Sequence, residues 1–206
     1  MKAITKKILS GILLVALGVV GRVFFVNYIN IPNFEIVSSF ALLSGFYLGG
    51  IFSFITPLFI IFLSDLFIGN TAILLFTWSA FGLIGLLGVG MKRIYKGRGL
   101  LSYSLIFGIL ASCFFFIYTN FGWWVLSDMY PHTLSGLVAC YVNALPFFKT
   151  NLLGNLILAP MVFSVFLGIK ERRWQTSKKL EFSSGEVLAR SALSFLKTYD
   201  FIGQRH

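Results

Sequence analysis

The stretch TAILLFTWSAFGLIGLLGVGMKRIYKGR, residues 71–98, indicates how this chain folds. Its first 20 residues carry no charge, and an α-helix needs roughly 20 apolar residues to cross the hydrocarbon core of a bilayer. Four Lys and Arg side chains follow within residues 92–98. Similar apolar runs recur along the 206 residues, of which 57% are hydrophobic and only 12% are charged. This composition predicts a helical membrane protein with several spans.

The apolar runs predict an all-α membrane protein with six transmembrane helices and one shorter helix. The spans are expected at residues 8–27, 36–50, 51–68, 71–90, 100–118 and 149–169. The apolar stretch Thr133–Phe148 is too short to cross the bilayer, so it predicts a re-entrant or interfacial helix. Gly49 and Gly50 favour a tight turn between the second and third spans.

Lysine and arginine are concentrated in three segments: before the first span, between the fourth and fifth spans, and after the last span. The connections Asn27–Glu35, Ile68–Asn70 and Thr119–His132 contain neither residue type. By the positive-inside rule, the three basic segments and both termini are cytoplasmic, and the other connections face outward. The net charge of +10 then reflects topology and contact with anionic lipid, so no nucleic-acid partner is expected.

The composition changes after residue 170, which predicts two parts. Residues 1–170 form the six-helix transmembrane domain, whose N-terminal apolar run is retained as the first helix rather than cleaved as a signal peptide. Residues 171–206 form a basic, amphipathic cytoplasmic tail, in which Ser183 and Glu186 have the spacing of a capping box at a helix start. That helix would lie on the membrane surface, pack on the bundle or dock a partner.

Four ionisable residues lie inside or beside the predicted spans: Arg22, Glu35, Asp65 and Lys149. A charged group in hydrocarbon costs at least about 2.5–3.5 kcal/mol, so each of them is a candidate for function. All four map to the outer half of the bilayer. Arg22 is expected to form a structural ion pair with Glu35 or Asp65, and such a pair is compatible with a role in binding a ligand.

Polar and aromatic side chains from distant parts of the chain are predicted to meet at the same depth. The predicted substrate-binding residues are Asn33, Glu35, Asp65, Asn120, Trp123, Tyr141 and Asn155. Amides supply both donors and acceptors, and aromatic walls with a few polar groups are typical of small-molecule pockets. The alternative is that the aromatic residues form the belt at the membrane surface and the polar residues only lock the bundle.

Motifs for catalysis and for cofactors are missing from the sequence. It contains no Walker A, H-E-x-x-H or G-x-S-x-G pattern, and Cys113 and Cys140 lack the spacing of a metal site or a disulfide framework. We therefore expect no enzymatic activity, no cofactor and no metal. The two cysteines are expected to be small apolar packing residues.

Several short motifs resemble those of an uncharacterised family of prokaryotic membrane proteins. They are Pro32–Glu35, Ser64-Asp65, Thr119–Gly122, Tyr130-Pro131, Gly136–Tyr141, Ala144–Phe148 and Asn151–Gly154. That family in turn resembles the S components, the substrate-binding subunits, of energy-coupling factor (ECF) transporters. The resemblance implies six helices with both ends cytoplasmic, an outward-opening site for a vitamin or its precursor, and a partner complex of a T subunit and two ATPases.

The predicted function is therefore small-molecule binding by an integral protein of a prokaryotic plasma membrane, as the substrate-binding component of a transporter. Gly11, Val15 and Gly18 form only a partial version of the small-residue stripe with which S components dock the T subunit. The alternative is a structural or assembly role in the membrane without a ligand. A cavity lined by the predicted site residues would favour binding, whereas mutual pairing without a cavity would favour the structural role.

Overall fold

A computed structural model describes residues 2–69 and 73–203 of the protein, and the side chains of residues 4–69, 73–172, 175 and 176. This part of the chain is helical and contains no β-strand. Its six α-helices are α1 (Lys2–Phe24), α2 (Val37–Tyr47), α3 (Phe52–Ile68), α4 (Leu74–Ile94), α5 (Leu100–Leu126) and α6 (Leu134–Gly203). A π-helical turn, Phe25–Ile29, extends α1. The predicted all-α fold is confirmed.

Within the described residues, four helical segments are long and apolar enough to cross a membrane. They are Ile4–Ile29, Leu74–Ile94, Leu100–Leu126 and Leu134–Arg172. Helices α2 and α3 are shorter apolar helices of 11 and 17 residues. The helices therefore indicate a membrane-embedded protein, but with four long helices rather than the six full spans that the sequence predicts.

Helix α2 is the buried axis of the bundle. Every residue from Ile36 to Phe46 is buried. Its 11 residues cover about 17 Å at about 1.5 Å per residue, roughly half of a hydrocarbon core about 30 Å thick. The span predicted at 36–50 is therefore a half-length helix, and the chain turns after it at Gly49 and Gly50, as the sequence predicts, where φ is 65° and 59°.

The two ends of the bundle differ in charge. The first turns of α1 lie at the same end of the bundle, here called the basic end, as the connection 95–99 between α4 and α5. Gly11 of α1 faces Leu48, and the ring of Phe46 lies 5.4 Å from that of Tyr95. The opposite end carries the connections 30–36 and 127–133, which contain no Lys or Arg. This placement of the first two basic segments at one end is what the predicted topology requires.

Glycines allow α4 to approach α2 and α3 closely. A Cβ atom at Gly85 would collide with the carbonyl oxygen of Ser53, and one at Gly88 would collide with that of Leu42. A Cβ atom at Gly45 of α2 would collide with the Gly85 carbonyl in turn. These glycines therefore have a packing role, because close backbone approach replaces the hydrophobic drive that is missing between helices in lipid.

The predicted short helix and the predicted last span are one continuous helix. Helix α6 begins at Leu134 and continues past Pro146, so the described chain has six α-helices where the sequence predicts seven. The prediction ended the short helix at Phe148, just after Pro146, a residue that lacks an N–H and disfavours helix interiors. Only one backbone hydrogen bond is lost at such a proline, and membrane helices tolerate that loss.

Packing divides the chain into two compact units, residues 1–164 and 165–206, whereas the sequence predicts a boundary between residues 170 and 171. In the second unit, α6 continues through Ser183 and Glu186, so the predicted helix start at this capping box is wrong. The side chains of residues 177–206 lie outside the described part, and the amphipathic character of the tail stays a prediction.

Candidate functional site

A cavity of about 780 Å³ lies at the N-terminus of α2. Its walls come from α1, α3, α4, α5 and α6 and from the loop of residues 30–35 that precedes α2. Because α2 begins inside the bundle, this loop descends to meet it and leaves space between the surrounding longer helices. The volume falls within the range of about 300–1,000 Å³ that is typical of small-molecule sites.

An ion pair forms one side of the cavity. Arg22 Nη1 lies 2.5 Å from Asp65 Oδ1 and also donates to Ser64 Oγ at 2.5 Å. The indole N–H of Trp78 donates to the other carboxylate oxygen, Asp65 Oδ2, at 2.8 Å. The side chains of Arg22 and Asp65 are 19% and 8% exposed, so both charges are largely removed from solvent. Of the two predicted partners of Arg22, Asp65 is the one that it contacts.

Glu35 has a different local role. Its carboxylate accepts hydrogen bonds from the backbone N–H groups of Val37 and Ser38, and from Ser38 Oγ at 2.7 Å. These are the first N–H groups of α2, which have no partner within the helix, so Glu35 caps the helix and meets the positive end of its dipole. Burial raises the pKa of the Glu35 carboxyl, and the hydrogen bonds from Ser38 and Val37 oppose that rise.

Five of the seven predicted site residues lie on the wall of this cavity: Asn33, Glu35, Asp65, Asn120 and Trp123. Asn33 adopts a left-handed φ of 59°, which asparagine tolerates better than most residues. The Nδ2 group of Asn120 donates to the Phe116 carbonyl of its own helix at 2.7 Å. No hydrogen bond from within the described chain reaches the Asn120 carboxamide oxygen, which leaves an acceptor on the wall.

The other two predicted site residues do not line the cavity. Tyr141 directs its hydroxyl to the Ile117 carbonyl at 2.8 Å. Asn155 is 1% exposed, and its Nδ2 group donates to Ser112 Oγ at 2.8 Å and to Asn151 Oδ1 at 3.3 Å. Asn151 itself lines the cavity and donates to the Asn33 carbonyl at 3.3 Å. Asn155 therefore supports the wall through Asn151 rather than forming it.

Several wall residues were not among the predicted site residues. They include Thr77 and Trp78 of α4, Phe115, Phe116 and Thr119 of α5, Tyr130, and Asn143, Phe147, Phe148 and Asn151 of α6. The outer position of Trp78 in its span was a usable signal, because its indole N–H at that depth needs an acceptor. The phenylalanines gave no such signal, since nothing in the sequence separates them from lipid-facing ones. Lys149, the fourth ionisable candidate, is exposed and does not line the cavity.

The wall combines aromatic rings, amides and a small negative charge. Nine of its side chains are aromatic and five are asparagines. Its ionisable side chains are one Arg, one Asp and one Glu, apart from a thiol and a phenol, so its formal charge with both carboxylates ionised is −1. Across the described residues, no group of three or more His, Cys, Asp and Glu side chains lies close enough to hold a metal ion.

These features define a helical membrane protein with a cavity of small-molecule size at the N-terminus of a buried half-length helix. The chain belongs to DUF6580, a family of unknown function, whose family profile matches residues 2–178. All residues that line the cavity fall within this matched segment. No curated protein and no solved structure matches the chain.

Proposed function

We propose that this protein is an integral membrane protein that binds a small organic molecule in the cavity at the N-terminus of α2. The observation that carries the proposal is the cavity itself. Three separate segments of the chain, the loop before α2, the end of α3 and the second half of α5, bring five predicted site residues to one space of about 780 Å³. A bundle whose polar residues only locked its helices would not need such a space.

The charge on the wall favours a neutral or cationic ligand over an anionic one. The Arg22 guanidinium is engaged with Asp65, and the first N–H groups of α2 are engaged with Glu35, so neither source of positive potential is free for an anion. The aromatic rings offer stacking surfaces, and they attract cations through their π faces. The asparagine amides provide directional hydrogen bonds. A nitrogen heterocycle of the size of a vitamin or its precursor has this chemistry.

The binding role extends, in our proposal, to the substrate-binding component of a transporter in a prokaryotic plasma membrane. Its support is the resemblance of the motifs around the cavity to an uncharacterised family of membrane proteins, which in turn resembles ECF S components, together with a cavity that lies away from the basic end. With the basic end and both termini in the cytoplasm, ligand would enter from outside. A T subunit and two ATPases would then be the partners, because the sequence carries no Walker A motif.

The alternative proposal, a structural or assembly role without a ligand, has one observation in its favour. The polar groups of Arg22, Ser64, Asp65 and Trp78 bond to one another, so this part of the wall is satisfied without any ligand. The unengaged Asn120 oxygen and the open space beside it are not explained by that role.

Ligand-induced thermal stabilisation tests the binding function. The purified protein is heated with neutral, cationic and anionic vitamins and precursors, and the unfolding temperature is followed. A ligand at about 100 times its dissociation constant stabilises the folded protein by about 2.7 kcal/mol. We expect Asn120→Ala and Trp123→Ala to abolish this shift, because both side chains lie on the wall.

Tyr141→Phe is the matched control, because Tyr141 is a predicted site residue whose hydroxyl bonds Ile117 away from the wall. It should retain the full ligand-induced shift. Stabilisation that survives both wall substitutions would place the site elsewhere, and stabilisation by anions alone would contradict the charge argument. A panel without any effect would favour the structural role.

A further inference from the structure

A second cavity, of about 350 Å³, lies between α4 and α5 and is not part of the site described above. Its wall is entirely apolar, formed by Leu83, Leu86, Leu87, Gly90, Phe107 and Phe114. Leu86 is 46% exposed, so the cavity is a groove on the outer surface of the helix pair. A Cβ atom at Gly90 would meet no other atom within 4 Å, which means that the absent side chain contributes to the open space.

The groove follows one face of α4 toward the basic end. Leu83 lies three and four residues before Leu86 and Leu87, these lie four and three residues before Gly90, and Arg93 follows Gly90 by three residues. Residues three or four apart lie on the same helix face. Arg93 is exposed and lies one turn beyond Gly90, on the side of the groove that faces the basic end, and Lys92, Lys96 and Arg98 close to it in the chain are exposed as well.

These four basic residues have no counterion on the same stretch of chain. No Asp or Glu occurs between Asp65 and Asp128, and none of the four forms an ion pair with any described residue. An apolar groove that ends in unpaired cations matches a molecule with a hydrocarbon chain and an anionic head. Basic residues at the ends of membrane helices attract the headgroups of anionic lipids in this way.

We propose that the groove between α4 and α5 binds an anionic phospholipid, with one acyl chain along Leu83–Gly90 and the phosphate headgroup at Arg93. Arginine suits the headgroup because its planar guanidinium forms two parallel hydrogen bonds to a phosphate. The lipid belongs to the leaflet at the basic end. This site is independent of the cavity at the N-terminus of α2, and neither proposal depends on the other.

Retention of lipid by the full-length protein tests the proposal. The purified protein is equilibrated in detergent with an equal mixture of phosphatidylglycerol and phosphatidylcholine of identical chains, and retained lipids are counted by native mass spectrometry. We expect the wild type to retain phosphatidylglycerol preferentially. Arg93→Gln should reduce that preference about five-fold, since one basic residue near an anionic surface contributes about that factor.

Gly90→Leu fills the groove with a side chain and should abolish retention of this lipid. Because a Cβ atom at Gly90 meets nothing and leucine is a better helix former than glycine, the variant should fold normally, which its unfolding temperature verifies. Lys7→Gln is the matched control, since Lys7 is an exposed basic residue at the same end on α1, away from the groove.

Three outcomes would overturn the proposal. The first is equal retention of both lipids by the wild type. The second is an identical loss of preference in Arg93→Gln and Lys7→Gln, which would indicate general charge attraction without a site. The third is a change of the Gly90→Leu variant from dimer to monomer, which would make the groove a contact between two copies of the chain.

Discussion

Arg22 lies on the wall of the larger cavity, and two acceptors fix its position. One nitrogen, Nη1, contacts both Ser64 Oγ and Asp65 Oδ1, while Trp78 holds the second oxygen of the same carboxylate. The pair neutralises two charges that the bundle withdraws from water. Loss of either partner leaves the other charge uncompensated in a poorly solvated site, which is the costly state for a buried pair.

Arg22→Ala should lower the free energy of unfolding of the detergent-solubilised protein by about 3–5 kcal/mol, because the Asp65 charge loses its compensating cation. Thermal or chemical unfolding measures this loss. Lys96→Ala is the control, since Lys96 is exposed at the basic end and should change stability little. Replacing both members of the pair, as Arg22→Met with Asp65→Leu, should recover much of the loss. Equal unfolding temperatures for Arg22→Ala and Lys96→Ala would contradict the role of the pair.

The sequence placed Arg22, Glu35 and Asp65 at one depth but did not choose between the two acids. Depth in a span fixes only the position along the membrane normal. Rotation about the helix axis decides which carboxylate faces Arg22, and it depends on the packing of α1 against α3. Glu35 is instead bound by its own neighbours, because two backbone N–H groups without helical partners lie two and three residues further on.

Helix α4 depends on glycines whose surroundings differ sharply within two turns. Gly85 faces the backbone of Ser53, whereas Gly90 faces open space. Alanine substitutions at Gly85 and Gly90 therefore make the same chemical change in the same helix. Only the space available to a Cβ atom differs between them, so the pair isolates the contribution of close helix approach.

Gly85→Ala should destabilise the protein by about 1–3 kcal/mol, the usual cost of overpacking, because the added Cβ collides with a backbone oxygen that cannot move alone. Gly90→Ala should be neutral or stabilising by up to about 1 kcal/mol, since alanine is the better helix former. Unfolding curves of the two variants in the same detergent compare them. A Gly85→Ala variant as stable as Gly90→Ala would show that α4 does not need this close approach.

Helix α5 is longer than the span that the sequence predicts. The sequence predicts that the fifth span ends at residue 118 and that the connection Thr119–His132 follows it. The helix instead continues to Leu126. Thr119 Oγ1 and Asn120 Nδ2 donate to the carbonyls of Phe115 and Phe116 one turn earlier, so the helix itself accepts these side-chain hydrogen bonds, while the Asn120 carboxamide oxygen stays unengaged by the described residues on the cavity wall. Composition alone does not distinguish this arrangement from a turn.

The half-length helix α2 explains why this bundle contains a cavity of small-molecule size. A full span at that position would fill the centre of the bundle from end to end. The short helix instead leaves space above its N-terminus. The sequence does not reveal which of Asn151 and Asn155 lines this space. The two residues are one turn apart on α6, and only Asn151 reaches the wall.

The orientation of the bundle gives the last prediction. The last turn of α4 and the connection to α5 together carry four basic residues, whereas the connection between α5 and α6 carries none, so the positive-inside rule places Lys96 in the cytoplasm and Asp128 outside. In a variant in which Cys113 and Cys140 are replaced by alanine, Asp128→Cys should react with a membrane-impermeant maleimide in intact cells. Lys96→Cys should react only after the membrane is permeabilised. Both positions are exposed in the structure, so access across the membrane, and not burial, decides the result. The reverse labelling pattern would mean that the protein has the opposite orientation and that the cavity at the N-terminus of α2 opens to the cytoplasm. Capture of a ligand from outside would then fail even if the cavity binds one.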